Sequence, residues 1–570
     1  MKNRLVSYLL IIQILNKKKK FVIPIVVFSV FSSVFSGLSI GLIIPLLEGN
    51  DRNIFSDTYF KFLDDFLQYG FGNTFQEKIM QISLFIVFLS LLEFLFSILI
   101  IKLAAQVEFI LLNDFIDRIL IKINSMKYKK FFSYSDGEIF TIATTDIYNV
   151  SSVATKFLIS IQSFILIIIY FVIMFSVSPW LTFIAILFFI IISIIITGLL
   201  GRKSKKVNAK LSMLFLKINS ELSYFIENYK KVIGLGVEDK FSKNLKITYE
   251  EFIMQRKRYT EYVSYSLPLN NLVNTISIAA LLFFGSILFV NESNSWTIML
   301  IPFLVLLFKI LPMVSSLNNL RVLVESNKPF INRVDEFLND NFDNENDGKS
   351  KFLFNNSIVF ENVTFNFGKK AVLDQISFVI EKNKINTIVG PSGVGKTTII
   401  DLILKIYEPE DGQILIDDVN ILEISKRELR ENISFLPQDL LMLNKNISEN
   451  INLYERNISE QKLLEELENI NLDINISDSL NPEKIGYGGI NLSGGQKQKI
   501  NILRTMLKDS DFIIFDEPTN NLDKESVELF INQLNSIRGQ KTVLIITHSN
   551  TLENISDLVF ELKEGKLVKK

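Results

Sequence analysis

Gly390-Pro391-Ser392-Gly393-Val394-Gly395-Lys396-Thr397-Thr398 follows the short apolar stretch Asn386–Val389 and leads into the helix-compatible segment Thr398–Ile406. Strand, glycine-rich loop and helix in that order build a cradle for phosphate. Glycines let backbone N–H groups close around an anion, and the positive end of the helix points at the same place. The ammonium of Lys396 suits the β- and γ-phosphates of a nucleotide, and the hydroxyl of Thr397 suits Mg2+. A glycine-rich turn arising by chance would lack the flanking elements in the required order.

Further along, Phe512-Ile513-Ile514-Phe515-Asp516-Glu517 reads as a buried strand that ends in two adjacent carboxylates. Asp516 is placed to hold Mg2+, directly or through water, and Glu517 to polarise an attacking water. Such a strand is a weak signal alone and a strong one downstream of a complete phosphate loop. The stretch from Ile358 to 570 is therefore expected to be an α/β P-loop domain.

Other segments resemble the ABC transporter family. Leu492-Ser493-Gly494-Gly495-Gln496 is similar to that family's signature, just before the strand ending at Asp516. Gln438 in Leu436-Pro437-Gln438 matches the Q-loop glutamine, another expected Mg2+ contact. Asp523 in Asn521-Leu522-Asp523 matches the D-loop, and His548 in Ile546-Thr547-His548 the switch histidine. Phe367 stands where the family has an aromatic ring stacked on adenine. The resemblance implies that Glu517, His548 and Gln438 act in hydrolysis. It also implies that residues 492–496 complete the nucleotide site of a second chain, so that two copies meet head-to-tail. Two departures stand out. Gly486-Tyr487-Gly488-Gly489 replaces the usual Gly-Glu-Arg-Gly, removing an acidic contact, and Pro518 replaces a common alanine.

Upstream of Leu320 the composition changes to long runs of Ile, Leu, Phe and Val. A spanning helix needs about 20 mostly apolar residues to cross a hydrocarbon core of roughly 30 Å. Six stretches meet or approach this: Phe21–Leu47, Ile79–Ile101, Phe157–Val177, Trp180–Leu200, Pro268–Val290 and Trp296–Leu317. Buried helices of a soluble core would not recur at this length six times. The expected fold is thus an all-α transmembrane domain (21–338), a linker (339–357) rich in Asn and Asp, and the ATPase domain (358–570). Met1–Leu15 has the basic start and apolar run of a signal peptide, but Lys17-Lys18-Lys19-Lys20 follows in place of a cleavage site, so Leu5–Leu15 is expected as an amphipathic helix on the membrane surface, with residues 1–20 as an elbow.

Lysine and arginine set the orientation. The connection after the second stretch carries Lys102, Arg118, Lys122, Lys127, Lys129, Lys130 and Lys156, and the one after the fourth opens Arg202-Lys203-Ser204-Lys205-Lys206. The intervening connections are poor in basic residues, so both termini are expected in the cytosol of a bacterial inner or plasma membrane.

Charge and cysteine exclude other classes. The 570-residue chain has a formal net charge of −1, unlike the basic surface of a nucleic-acid binder. It has no cysteine, hence no disulfide framework, thiolate metal site or cysteine nucleophile. Two charges fall inside apolar stretches, Glu93 and Lys309. A charge at mid-bilayer costs about 2.5–3.5 kcal/mol on insertion scales, so each is expected to face a cavity or a partner. They are expected at similar depth, where they either pair with each other or meet an anionic substrate. The alternative is that Lys309 snorkels to the cytosolic face.

The combined expectation is an ATP- and Mg2+-dependent exporter or flippase working as a homodimer, with a heterodimer open. Membrane lipid and the transported substrate are its other partners. A weaker likeness to bacterial lipid-linked oligosaccharide flippases rests on Ile44-Pro45, Tyr59–Tyr69, Lys309 before Pro312, and Gly488-Gly489, and it points to an acidic lipid-linked saccharide as cargo. Peptide, drug or lipid export is the alternative within the same fold, with the peptide-exporting subclass that carries a peptidase-like domain before the spans not expected. An ATP-gated channel or sensor is the alternative of another class.

Overall fold

The computed structural model describes residues 15–16, 18–42, 75–134, 136–196, 202–265, isolated positions between 268 and 283, 296–339, 348–368, 370–454, 459–470, 472 and 489–570. The surface helix expected before Leu15, most of the fifth apolar stretch, Ile44-Pro45, Tyr59–Tyr69 and Gly486–Gly488 lie outside the described residues. The chain divides into two compact units: Met1–Asn124 with Phe132–Asn341, and Ser125–Phe131 with Phe342–Lys570.

The first unit is helical. Its helices are α1 (Lys19–Gly41), α2 (Phe75–Ser125) and, beyond the short α3 (Tyr128–Phe131), α4 (Asp136–Thr141). There follow a single π-helical turn (Ile142–Asp146), α5 (Ile147–Val177), α6 (Pro179–Ile196), α7 (Arg202–Glu227), α8 (Tyr229–Gly234), α9 (Glu238–Ser264) and α10 (Trp296–Asn339). Four of the described helices are long and apolar enough to cross a membrane. Two apolar stretches sit inside much longer helices. α2 has 51 residues and α10 has 44, about 75 and 65 Å at 1.5 Å per residue, well beyond a bilayer core.

Leu84, Phe88, Leu91, Phe94, Leu95 and Leu99 on α2 are all exposed. So broad an apolar face is unfavourable in water and suited to lipid. The inner faces pack as a core of Tyr170, Met174, Phe303, Leu306, Leu307 and Ile310. Gly37 lets α1 approach α5 closely, since a Cβ there would fall 2.7 Å from Ile169 Cγ2. Beside it Ser36 Oγ and Tyr170 Oη share a hydrogen bond of 2.8 Å. Gln162 Nε2 donates to Ser32 Oγ and Ser97 Oγ at 2.8 and 2.9 Å, joining α1, α2 and α5. Away from water, such bonds hold helices that the hydrophobic effect does not.

The second unit contains two sheets. β1 (Ser357–Phe367), β2 (Lys370–Glu381), β4 (Asp411–Ile416) and β5 (Val419–Asn420) form an antiparallel sheet in the order β2-β1-β4-β5. The other has the order β10-β9-β3-β8-β7-β6. It contains β3 (Ile385–Val389), β6 (Ile433–Leu436), β7 (Phe512–Asp516), β8 (Thr542–Thr547), β9 (Leu558–Lys563) and β10 (Lys566–Lys569). Strands β3, β7 and β8 are buried along their whole length, as parallel strands covered on both faces are. Helices α11 (Lys396–Ile403), α12 (Lys426–Asn432), α13 (Gly494–Leu507) and α14 (Lys524–Ile537) accompany them.

The described part of the stretch expected as a linker, 348–357, makes contacts within the second unit. Ser350 bridges to Ile424, and Phe354 is buried against Phe512 with ring centroids 5.7 Å apart. Lys382 donates to the Phe354 carbonyl at 2.8 Å. The polar residues around Phe354 concealed one aromatic that the core needs.

Candidate nucleotide-binding site

Parallel register gathers the site. Val389 pairs with Thr547, Asp516 with Ile546, and Leu436 with Phe515. The carboxyl ends of β3, β6, β7 and β8 therefore line up on one edge of the sheet. The residues that follow them are Gly390, Gln438, Glu517 and His548. That edge is where open α/β sheets bind ligands.

The loop between β3 and α11 requires its glycines. Gly393 and Gly395 have φ of +76° and +110°. A Cβ at Gly395 would meet Val372 Cγ1 at 2.6 Å, and one at Gly390 the Leu562 carbonyl oxygen at 2.5 Å. Lys396 is buried and curls across the loop. Its Nζ donates to the carbonyls of Gly390 and Pro391 at 2.7 and 3.0 Å and stands 4.0 Å from Glu517 Oε1. Pro391, Ser392, Gly393 and Thr397 are exposed at the mouth, Val394 is half-buried, and Thr398 is buried beneath it.

Thr397 Oγ1 donates to Asp516 Oδ2 at 3.1 Å, while Asp516 Oδ1 is buried without a hydrogen-bond partner. Burial raises the Asp516 carboxyl to about 6; Glu517 adds to the rise, and Thr397 and Lys396 oppose it. An orphaned buried carboxylate oxygen beside a hydroxyl is a donor pair that suits a hard divalent cation. Among the described residues no group of three or more His, Cys, Asp or Glu forms a self-sufficient metal site. The pair therefore fits a cation that takes its remaining oxygens from phosphate and water.

Glu517 adopts φ of +51°, a conformation few residues other than glycine occupy. Its N–H donates to the Ile546 carbonyl at 2.9 Å, which fastens the strained turn to β8. His548, largely exposed, holds Nδ1 2.8 Å from Glu517 Oε2. The oxygen is not aligned for a hydrogen bond, so the contact is electrostatic when the ring is protonated. Gln438 is exposed two residues beyond β6. Phe367 presents a half-exposed ring edge-on to Tyr407 at 5.3 Å.

Ser493 caps α13 through a reciprocal pair: its Oγ accepts from the Gln496 N–H at 3.1 Å, and Gln496 Oε1 accepts from the Ser493 N–H at 2.9 Å. Gly494 and Gly495 leave room for Asn521, whose carbonyl oxygen a Cβ at Gly495 would meet at 2.9 Å. Gln498 Nε2 donates to the Pro518 carbonyl at 2.8 Å, tying this helix to the turn after Glu517. Asp523 caps α14 by accepting from the Ser526 N–H at 3.0 Å. Leu492 is half-buried. Among the described residues no hydrogen bond or ion pair joins 492–496 to 390–398 of the same chain.

Sequence reasoning missed Asp401. It lies one helical turn beyond Thr397, and burial together with the charge of Asp516 raises its carboxyl to about 6. The i, i+4 spacing from Thr397 was the available signal. The other pair behaves differently: among the described residues no ion pair joins Glu93 and Lys309. Glu93 is half-buried on α2 and Lys309 exposed on α10.

Residues 21–311 match the ABC transporter transmembrane region family and residues 373–520 the ABC transporter family. The chain is 28% identical over 378 residues to the beta-(1→2)glucan export ATP-binding/permease protein NdvA of Agrobacterium fabrum. It is 29% identical over 356 residues to the ATP-dependent lipid A-core flippase of Francisella tularensis. These matches cover 65% and 60% of this chain, and 63% and 58% of those relatives' lengths. The heterocyst differentiation ATP-binding protein HepA of Nostoc is 26% identical over 98% of this chain and 92% of its own. In three dimensions the chain resembles a bacterial Atm1-family ABC exporter with ATP bound, with TM-score 0.80 and 19% identity over 96% of this chain and 94% of that one.

Proposed function

The chain belongs to the ABC transporter family, and from that premise we propose that it is an integral membrane exporter or flippase driven by ATP hydrolysis. Two copies form the working unit. The observation that carries this reading is the alignment of Lys396, Thr397, Asp516 and Glu517 at one sheet edge. Loop N–H groups of 392–395 and Lys396 hold the nucleotide phosphates, with Phe367 against the base. Thr397 and Asp516, with Gln438, would hold Mg2+. The metal, when bound, neutralises charge on the phosphate oxygens. Glu517 orients the attacking water and draws off its proton, and His548 steadies the γ-phosphate beside it.

The exposed start of α13 supports a shared site. Among the described residues Leu492 to Gln496 make no polar contact with their own phosphate loop, so the N–H groups of Gly494 and Gly495 and the Ser493 hydroxyl hydrogen are offered to a second chain's nucleotide, beside Asp523. We assign residues 21–338 to the membrane domain, 358–570 to the ATPase domain, and both termini to the cytosol on the basic loops. The NdvA and flippase relatives favour saccharide-bearing or lipid-linked cargo. An acidic lipid-linked saccharide fits an exposed Lys309 with no ion-pair partner among the described residues. The test is ATP hydrolysis by the purified chain in lipid, with Glu517→Gln as the control. Hydrolysis undiminished by that change would overturn the reading.

A further inference from the structure

Arg333 on α10 grips Asp146 with two hydrogen bonds, Nε to Oδ2 at 2.5 Å and Nη2 to Oδ1 at 3.0 Å. The same Nη2 donates to Ser212 Oγ on α7 at 2.7 Å. The Asp146 side chain is 0% exposed and that of Arg333 17%. Phe330 lies under the guanidinium at 5.7 Å. Asp146 closes the π-helical turn between α4 and α5, an irregularity that re-aims a side chain off the regular helix face. α4 also sits tight on α7, where a Cβ at Gly137 would meet the Ser220 backbone nitrogen at 3.2 Å.

The positions of these residues along the chain make the cluster more than packing. Residues 125–131 belong to the second unit, and the chain re-enters the first at Phe132, directly before α4. It leaves the first unit for good after Asn341, directly beyond α10. Asp146 and Arg333 thus tie the re-entering limb to the departing limb. Tyr134 and Phe337 repeat the tie nearer the crossing points, edge-on at 5.6 Å. A buried bidentate pair is rigid, and removing one member leaves the other charge uncompensated.

We propose that the Asp146–Arg333–Ser212 cluster is the joint that makes both limbs and α7 move together, so that events in the second unit reach the membrane helices. This rests on the reading that ATP hydrolysis drives transport. Arg333 is a positioning residue, acting through Asp146 and Ser212.

The chain's two tryptophans, Trp180 at the start of α6 and Trp296 at the start of α10, report on the membrane helices. The experiment compares tryptophan emission before and after trapping with ATP and orthovanadate in lipid nanodiscs. The parent should show a shift. Arg333→Lys and Asp146→Asn should hydrolyse ATP within about threefold of the parent while the shift shrinks about fivefold or more. Ser212→Ala should fall between. Glu325→Gln removes a half-buried pair with Lys328 on the same helix and should leave the shift intact. If Asp146→Asn does not fold, Arg333→Lys and Ser212→Ala carry the comparison. A full shift in the variants overturns the joint, as do equal losses of hydrolysis and shift, or a hydrolysing parent with no shift. A parent without ATP hydrolysis instead overturns the functional reading on which the joint rests.

Discussion

His548 Nδ1 stands 2.8 Å from Glu517 Oε2, and Glu517 itself is held in a left-handed turn by its hydrogen bond to β8. The strand that leads to His548 therefore also aims Glu517. Glu517→Gln should preserve nucleotide binding and lower hydrolysis by on the order of 10²–10⁴. His548→Ala should lower turnover with little change in nucleotide affinity. Steady-state hydrolysis beside fluorescent-nucleotide binding measures both, and a parental rate in Glu517→Gln would refute the assignment.

Assembly is tested at α13. Ser493→Ala removes one capping acceptor, a loss of roughly 1 kcal/mol, and should leave a folded protein. Ser493→Arg should abolish hydrolysis with Lys396 intact, by filling the space meant for the facing nucleotide. Hydrolysis by the parent should follow ATP concentration with a Hill coefficient above one. Full activity in a chain shown by light scattering to be monomeric would contradict the shared site.

Asp401 makes a pH prediction. Its folded carboxyl is raised to about 6, above the 3.8 of the free side chain. The stability it contributes is therefore complete below about pH 4 and lost as pH rises through 6. Without nucleotide or Mg2+, Asp401→Asn should slow amide exchange in α11 at pH 8 by the equivalent of roughly 1–3 kcal/mol, and hardly at pH 4. Asp516, raised similarly, keeps part of the dependence. Equal gains at both pH values would show that burial of charge is not the cause.

Lys309 carries the cargo prediction. Lys309→Ala should reduce transport of an acidic lipid-linked saccharide more than Lys309→Arg, and basal hydrolysis should stay near parental. Because no ion pair joins Lys309 to Glu93 among the described residues, replacing both charges should not restore transport. Recovery in the double variant, assayed in proteoliposomes, would mean that the two charges only balance each other.

Much of the candidate nucleotide site was legible in local sequence, because the proposed chemistry depends on spacing within short segments. The phosphate loop, the carboxylates at the end of β7 and the signature segment at the start of α13 are each defined within about ten residues of chain, where backbone geometry leaves few options. Apolar length likewise marked α1, α2, α5 and α10, since a bilayer sets a minimum run. It did not mark where α2 and α10 end, because polar continuation of a helix leaves no apolar signal. Asp401 escaped notice because a single carboxylate on a helix is ordinary until burial and a neighbouring charge act on it.

By itself the sequence determined the kind of chemistry, the presence of a membrane-embedded half and the residue types at the phosphate edge, all properties of contiguous segments. Only the tertiary structure decided which distant residues meet. Parallel register brings Leu436, Asp516 and Thr547 to one edge of the sheet. Helix packing sets Arg333 against Asp146 across 187 positions of chain. It also joins no ion pair between Glu93 and Lys309 among the described residues, although both lie in apolar runs at similar expected depth. The physical reason is that depth in a bilayer follows from counting residues along one helix. The direction a side chain faces follows from how that helix rotates against its neighbours, and this is settled by contacts such as Gly37 with Ile169 that no single segment contains.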